Sequence, residues 1–492
     1  MAIYRIKHHW IIGSLFILLF AFLLILRLGI LEEGEAEHKG DRIFTAQIKT
    51  DQETWMNIFQ QGKKMGYAHR QFYKTVEGYR IVESVFMQIN IMGMLQDIRF
   101  KTEGNFHPDL TLSSFDFKLQ SSLFRFKARG VLQDKILTLF TYQLGSEQKI
   151  DLPLEKESTL SLGLLKALNH EDLKPGDSRT FHVFDPATMT QRPVKVVVLT
   201  EETIPIMGHQ KKAKKVSVHF MGVPQFAWIG EDGTVLKEEG SLGIGLEQVT
   251  KDEALNKMTL SRGEDLIEVV SLPANKILPH VSRLQELKIK IDGIENGESF
   301  LNGGRQSLKN KILTIRKESV SNLPSSIKGE MVFEDGKTYL ESTLFIQSDH
   351  PEIQAKAREM VSTDDPTLVK AKRLVTWVNK NIQKRPVLSV PNALETLHHR
   401  VGDCNEHAVL LAALARASGI PAQVEAGLGY QKGRFYYHAW NVLYLGAWIT
   451  TDAVMDQLPS DVTHIRFVRG TERQIDLVQM IGRVRLEILA AQ

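Results

Sequence analysis

The chain has 492 residues, 43% hydrophobic and 24% charged, an ordinary globular composition with length for about three domains. A net charge of +3 and the lack of a Lys/Arg-rich stripe interleaved with aromatics exclude a nucleic-acid binder. Cys404 is the only cysteine, which excludes an intramolecular disulfide and a cysteine-based zinc site.

The first predicted element is apolar. Residues 10–26, WIIGSLFILLFAFLLIL, carry no charge; Arg27 interrupts, and residues 28–31 extend the run. About 20 such residues span a bilayer and about 17 is the lower limit. Arg5 and Lys7 precede the run and EEGEAEHKGD follows it. This asymmetry predicts residues 1–9 in the cytoplasm and 10–31 as a single-pass signal anchor, with the bulk of the chain periplasmic or extracellular. Trp10 sits at the interface and Arg27 snorkels. A cleaved signal peptide is the alternative, but neither a small-x-small site nor a lipobox cysteine follows.

Residues 42–262 read as an antiparallel β-rich domain. TWMNIFQQGKKMGYAHRQFYKT is two strands around a glycine turn, and SVFMQINIMGMLQDIRFKTEGNF, LTLSSFDFKL and PVKVVVLTEETIPI repeat the pattern. A short helix is predicted near residues 160–169. Met87, Met92 and Met94 either fill the core or line a ligand-binding face. No paired carboxylates, phosphate loop or metal-ligand spacing stands out, and no oxygen-rich calcium loop, so neither a cofactor nor a metal is expected. Residues 263–345 form a second β-rich segment, with LQELKIKIDGI and NKILTIRKES as strands around a Gly/Asn/Ser-rich loop.

The period changes at Ser348. SDHPEIQAKAREMVS, DDPTLVKAKRLVTWVNKNI and NALETLHH are predicted helices, the first two opened by Ser/Asp and Pro. Next comes VGDCNEHAVLLAALARASGIPA. Ala408, Leu411, Ala412 and Ala415 recur at helical spacing; Gly419 and Pro421 end the helix. Cys404 therefore stands at a helix N-terminus, where unpaired N–H groups and the dipole favour a thiolate, the nucleophilic form. A buried, inert Cys is the bland alternative, but Gly402, Asp403, Asn405 and Glu406 are not core residue types.

Three antiparallel strands follow: AQVEAGLGYQKG, RFYYHAWNVLYL and WITTDAVMD. His438 lies mid-strand in the second and Asp452 in the third. A two-residue turn would set them on opposite faces. A three-residue loop, residues 445–447, pairs Tyr444 with Trp448 and puts His438 and Asp452 on one face as diagonal neighbours. Gly446 supplies the left-handed residue such a loop needs. Glu406 and His407 need only start the helix, His464 reads as structural, and Trp440 and Trp448 as packing.

GDCNEHAVLLAALARASGIPA, YYHAWNVLYL and WITTDAV, in that order, resemble the core motifs of the transglutaminase-like superfamily. The likeness covers about the last third of the chain. It implies an α+β, papain-like catalytic domain over residues 346–492, with Cys404 as nucleophile, His438 as acid/base and Asp452 as its orienter. Many members carry Pro soon after the triad Asp where this chain has DAVMDQLPS, which keeps Asp456 as a rival orienter. The implied function is a membrane-anchored thiol enzyme acting on carboxamide or peptide bonds of a protein or peptide substrate, by acyl transfer to amine or water through a thioester. The alternatives are a cysteine peptidase or amidase on envelope peptides, and a non-catalytic binding scaffold.

Overall fold

The structure, a computed structural model, describes residues 51–492 apart from short stretches at 92–93, 122–124, 144–145, 171–172, 187–188, 221–222, 241–242, 256–264, 295–300, 326–332, 334–337, 386, 388–391, 471–476 and 478–479. The expected anchor at residues 10–31 lies outside them. No helix among the described residues is long and apolar enough to cross a membrane.

Alternating polarity builds the first half. In RFKARGVLQ the burial alternates residue by residue, as it must when one sheet face is wet. The strands are β1 (Gln52–Gln60), β2 (Lys63–Lys74), β3 (Tyr79–Ile91), β4 (Met94–Phe106), β5 (Leu112–Gln120), β6 (Arg125–Gln133), β7 (Ile136–Gln143) and β8 (Ser146–Pro153). Helix α1 (Ser161–His170) follows, then β9 (Ser178–Asp185), β10 (Thr190–Ile206), β11 (His209–Phe220), β12 (Val223–Gly230), β13 (Val235–Glu239) and β14 (Ile244–Val249). They make one 14-stranded antiparallel sheet, in which β1 pairs with β14 at the middle and β8 and β9 are the two edges. Helix α1 and the residue before it bridge the two wings: Leu160 and Leu162 pack with the β2–β7 core, and Leu164 and Leu168 with β9–β12. Met87 packs against the core beside Met56 and Met65.

Two short helices follow, α2 (Lys251–Leu255) and α3 (Leu266–Val270), then β15 (Leu272–Pro273), β16 (Glu286–Asp292), β17 (Gln306–Lys309) and β18 (Ile312–Arg316). The second β-rich segment joins the C-terminal half. Its β16 pairs both with β18 and with the last strand, β25 (Arg485–Ala491), and Leu287, Ile289, Leu313 and Ile315 share a core with the residues around Cys404.

The remaining elements are α4 (Pro351–Met360), α5 (Thr367–Asn381), β19 (Gln383–Lys384), α6 (Ala393–His399), β20 (Val401–Gly402), α7 (Cys404–Ala417), β21 (Ala422–Gln431), β22 (Arg434–Tyr444), β23 (Trp448–Thr451) and β24 (Ile465–Arg469). Pro351 at the first turn starts α4, and Asn392, accepting the Glu395 N–H at 3.1 Å, starts α6. Helix α7 is buried from Glu406 to Ala415 and packs on α4, α5, α6, β21 and β22. Apolar on all sides, it is the central element of this half. Leu410, Leu411 and Leu414 are fully buried, so truncating any one would cost about 2–5 kcal/mol. The position of Cys404 is therefore held by the deepest packing in the domain.

The sheet beside α7 has the order β15-β22-β21-β24, with β23 on β22. Helix α3 packs on both β3 and β22, and Leu344 and Phe345 pack against the core of the first sheet, so the two halves share contacts at the strand that carries His438.

Candidate active site

Cys404 is the first residue of α7. Asp403 is its N-cap: its carboxylate accepts the Asn405 N–H at 2.8 Å, and Glu406 reaches back to the Asp403 N–H at 2.8 Å. Gly402 makes room for this box, since a Cβ there would lie 2.3 Å from the Glu406 Cβ. The box takes up the N–H groups on both sides of Cys404. The Cys404 N–H lies outside the intrahelical ladder and has no partner among the described residues.

Strand β22 brings His438 to this helix end. The backbone N–H of Ala439, the next residue, donates to the Cys404 thiol. Asn441, two residues further, donates through Nδ2 to the Ala408 carbonyl at 2.9 Å and ties β22 to α7. Two glycines of AGLGY shape the other side. A Cβ on Gly427 would lie 1.9 Å from the Ile465 carbonyl oxygen, so Gly427 lets β24 approach. A Cβ on Gly429 would lie 3.3 Å from the His438 ring.

The β22–β23 ladder pairs Tyr444 with Trp448 and Asn441 with Thr451, which is the register of a three-residue loop. Gly446 has φ +99°, and a Cβ on it would strike Pro324 at 2.3 Å. His438 Nε2 donates to Asp452 Oδ2 at 2.7 Å. Asp452 is fully buried and satisfied on both oxygens, for Oδ1 accepts the N–H groups of Val454 (2.7 Å) and Met455 (3.1 Å). Asn379 of α5 holds the carbonyls of Ala453 and Val454, each at 2.9 Å, which fixes the loop behind Asp452. Asp456 points elsewhere: Thr376 of α5 donates to its carboxylate at 2.9 Å.

His464, read from sequence as structural, is part of the same network. Its Nε2 donates to Asp452 Oδ2 at 2.9 Å, and its Nδ1 faces Asp461 Oδ1 at 3.3 Å. With carboxylates on both ring nitrogens the imidazole holds two protons. Burial lowers its pKa, but the Asp452 and Asp461 hydrogen bonds outweigh this and raise it to about 9. Asp461 is held in turn by the Thr463 N–H (2.9 Å) and hydroxyl (2.6 Å) and by Gln457 Nε2 (2.9 Å). Burial alone would raise the Asp452 carboxyl; His438 and His464 outweigh it and hold Asp452 far below the usual carboxylate range. The only sequence signal for this device is an Asp three residues before a His at the start of an apolar strand.

Trp440 packs edge-on against His464 at 5.1 Å and donates to Glu425 at 3.0 Å. Arg469 and Arg466 neutralise Glu425. Trp440 is thus packing, as its sequence position suggested. Trp448 lies further out, in an aromatic group with Phe333, Tyr339 and Tyr444.

The thiol differs from expectation. Cys404 is half-buried. Burial pushes its pKa well up, with Asp403, Glu406 and Asp452 adding to the rise and the Ala439 N–H opposing it. The resting group is a neutral thiol, because burial disfavours the thiolate and the capping box that fixes the helix end puts two carboxylates beside it. With Nε2–H engaged by Asp452, Nδ1 is the ring nitrogen of His438 left to accept a proton. The arrangement brings together an unionised thiol, an imidazole and a buried carboxylate.

Ligand atoms of His438, Asp452 and His464 lie within 4.8 Å of one another. A divalent ion could use them only by displacing the two ring protons that Asp452 now accepts.

Residues 354–453 match the sequence model of the transglutaminase-like superfamily. Comparison with curated proteins finds no match. Among solved structures the chain is similar to a candidate cysteine protease from Cytophaga hutchinsonii, at 15% identity over 42% of this chain and 84% of that one, with a TM-score of 0.28. It is similar to a β-barrel-like protein of a domain of unknown function from Brucella abortus, at 12% identity over 40% and 98%, TM-score 0.32. It is similar also to the periplasmic domain of TgpA from Pseudomonas aeruginosa, at 15% identity over 38% and 87%, TM-score 0.24. The C-terminal half of the chain thus carries a transglutaminase-like domain beside a large antiparallel β-rich region.

Proposed function

We propose that the protein is a thiol acyltransferase or hydrolase that opens carboxamide or peptide bonds of a protein or peptide substrate through a Cys404 thioester. The observation that carries this reading is the 2.7 Å bond from His438 Nε2 to a fully buried Asp452, on the strand whose next amide N–H reaches the Cys404 thiol. In the first step His438 Nδ1 takes the thiol proton as sulfur bonds to the carbonyl carbon. The oxyanion is met by the unpartnered Cys404 N–H. The C–N bond then breaks, and His438 returns the proton to the leaving ammonia or amine. An amine or water attacks the thioester, His438 takes its proton, and the thiol is released.

The same reading makes the protein membrane-anchored, with its bulk outside the cytoplasm, on the strength of the uncharged run at residues 10–26 and the charges flanking it. Protease accessibility in intact and permeabilised cells tests that part.

For the chemistry, the full chain is incubated with envelope peptides and a labelled primary amine, and Cys404 is examined by mass spectrometry. The expected result is a peptidyl adduct on Cys404, absent from Cys404→Ser. Amine incorporation identifies transfer, whereas a free acid or new N-terminus identifies hydrolysis. No adduct on Cys404 in the folded protein, with no product of either kind, would sink the proposal.

A further inference from the structure

The β-rich half contains a cavity of about 640 Å³ between α1 and the 14-stranded sheet. Nothing in the thiol chemistry above uses it. Its volume lies within the roughly 300–1,000 Å³ of small-molecule sites, and such sites pair apolar walls with a few convergent polar groups. The walls fit that description: Phe72, Leu162, Leu165, Val194, Val218 and Phe226 line the space.

The charged groups of the lining are two cations, Arg70 and Lys166, and four carboxylates, Glu83, Asp185, Glu238 and Glu239, the last of them paired with Lys237 at 2.7 Å. Arg70 is paired with two carboxylates: its Nε meets Glu83 at 2.5 Å and its Nη1 meets Glu238. Lys166, on α1, is different. Its ammonium bonds only neutral oxygens, the Gln52 side chain and the Gly233 carbonyl at 2.9 Å, and lies 5.2 Å from the centre of the Phe72 ring. An ammonium carries three donors, and two are taken by hydrogen bonds. Burial pushes its pKa down to about 8, with Asp232 opposing the fall and Arg70 adding to it, so the group gains from an anion in contact.

We propose that this cavity binds an amphiphile with an apolar chain and one acidic headgroup, the chain along the Phe72–Leu165–Phe226 walls and the head on Lys166. The shared chemistry, a chain with a carboxylate or a phosphate monoester, covers a free fatty acid and a lysophospholipid of that type. The surplus of carboxylates over cations in the lining opposes a second negative charge, so a carboxylate head is favoured over a phosphate monoester, which is close to a dianion at pH 7.

The test uses the full chain and photoreactive diazirine probes: an alkyl carboxylate, the matching alkyl alcohol and a lysophosphatidate. Cross-linked peptides are mapped by mass spectrometry. Labelling is expected in the peptides bearing Leu162, Leu165 and Phe226, at least tenfold stronger for an acidic probe than for the alcohol. Lys166→Met should erase that preference and Lys166→Arg should retain it. Whichever acidic probe labels more strongly identifies the source. Far-UV circular dichroism of both variants controls for folding. Equal labelling by acid and alcohol, labelling outside these peptides only, or an acid preference that persists in folded Lys166→Met would overturn the proposal.

Discussion

Replacing His464 by Phe keeps a flat ring in a fully buried place and removes both donors. The loss is a charge-assisted bond to Asp452 at 2.9 Å and a longer one to Asp461 at 3.3 Å. Removing one partner of a buried ion pair costs about 3–5 kcal/mol. Here the lower end applies. Asp452 keeps His438 and two backbone N–H groups, and Asp461 keeps Thr463 and Gln457. The pKa gives a second route to the same size: a value raised from 6.5 to about 9 is worth about 3 kcal/mol at full strength, at about 1.4 kcal/mol per pH unit. The two routes describe one interaction and are not added.

The sign fixes the assay. The folded value is higher than the unfolded one, so this stabilisation is whole below about pH 6.5 and is lost as the pH rises through about 9. Denaturant titrations of wild type and His464→Phe at pH 7 and pH 9.5, read by pulse labelling of Cys404, compare the two. Cys404 is the only thiol and packs against this core, so its exposure reports the catalytic half. The expected difference is about 3 kcal/mol at pH 7, shrinking to under about 1 kcal/mol at pH 9.5. A difference that stays constant between the two would mean that His464 is not an imidazolium and that the network is held by packing alone.

Other outcomes follow from the same geometry. In single-turnover acylation by a peptide carboxamide, Cys404→Ser should lose nearly all activity. Asp452→Asn should keep a fraction, down by up to about 10⁴-fold because an amide in that place can hold the wrong imidazole tautomer. Asp456→Ala should leave the rate within about twofold, since that carboxylate is bonded by Thr376 and not by His438; a large loss would restore Asp456 as orienter. Gly429→Ala sets a methyl 3.3 Å from the His438 ring and should slow acylation by roughly tenfold with the far-UV spectrum unchanged, because small displacements of a catalytic group are costly; full activity would show that the ring has room to move. In His438→Ala, alkylation of Cys404 at pH 7 should run slower than that of a free thiol and climb about tenfold per pH unit up to pH 9, since burial raises the thiol; a plateau below pH 8 would contradict that.

Local chemistry explains which parts were legible in sequence. Asp403 and Glu406 stand three apart ahead of an Ala/Leu run, so the start of α7 is written within a few residues. The facing of His438 and Asp452 turns on the length of one loop, which Gly446 marks. Individual strands of the large sheet follow from alternation, but their order does not. The pairing of β1 with β14 joins residues about 190 apart, and periodicity names no partner. His464 was hidden for the same reason. It reaches Asp452 only because β24 docks on β21 at Gly427, a contact between segments that say nothing of each other locally.

The charge of the thiol is a competition that sequence position alone decides wrongly. A helix N-terminus stabilises a nearby negative charge by about 0.3–1 kcal/mol, and by about 2 kcal/mol in favourable partly buried sites. That is worth at most about one and a half pH units. Burial can move a pKa by about 3–5 units, and the Asp403 and Glu406 carboxylates act in the same direction as burial. The capping box thus works against the dipole it terminates. In the proposed reaction the thiolate is made by transfer to His438, and the rest of the network serves that moment. Before transfer, Asp452 and Asp461 carry two negative charges against one on His464. After it, the His438 imidazolium completes the balance. A buried imidazolium at His464 keeps Asp452 ionised and ready, without itself giving a proton to the site.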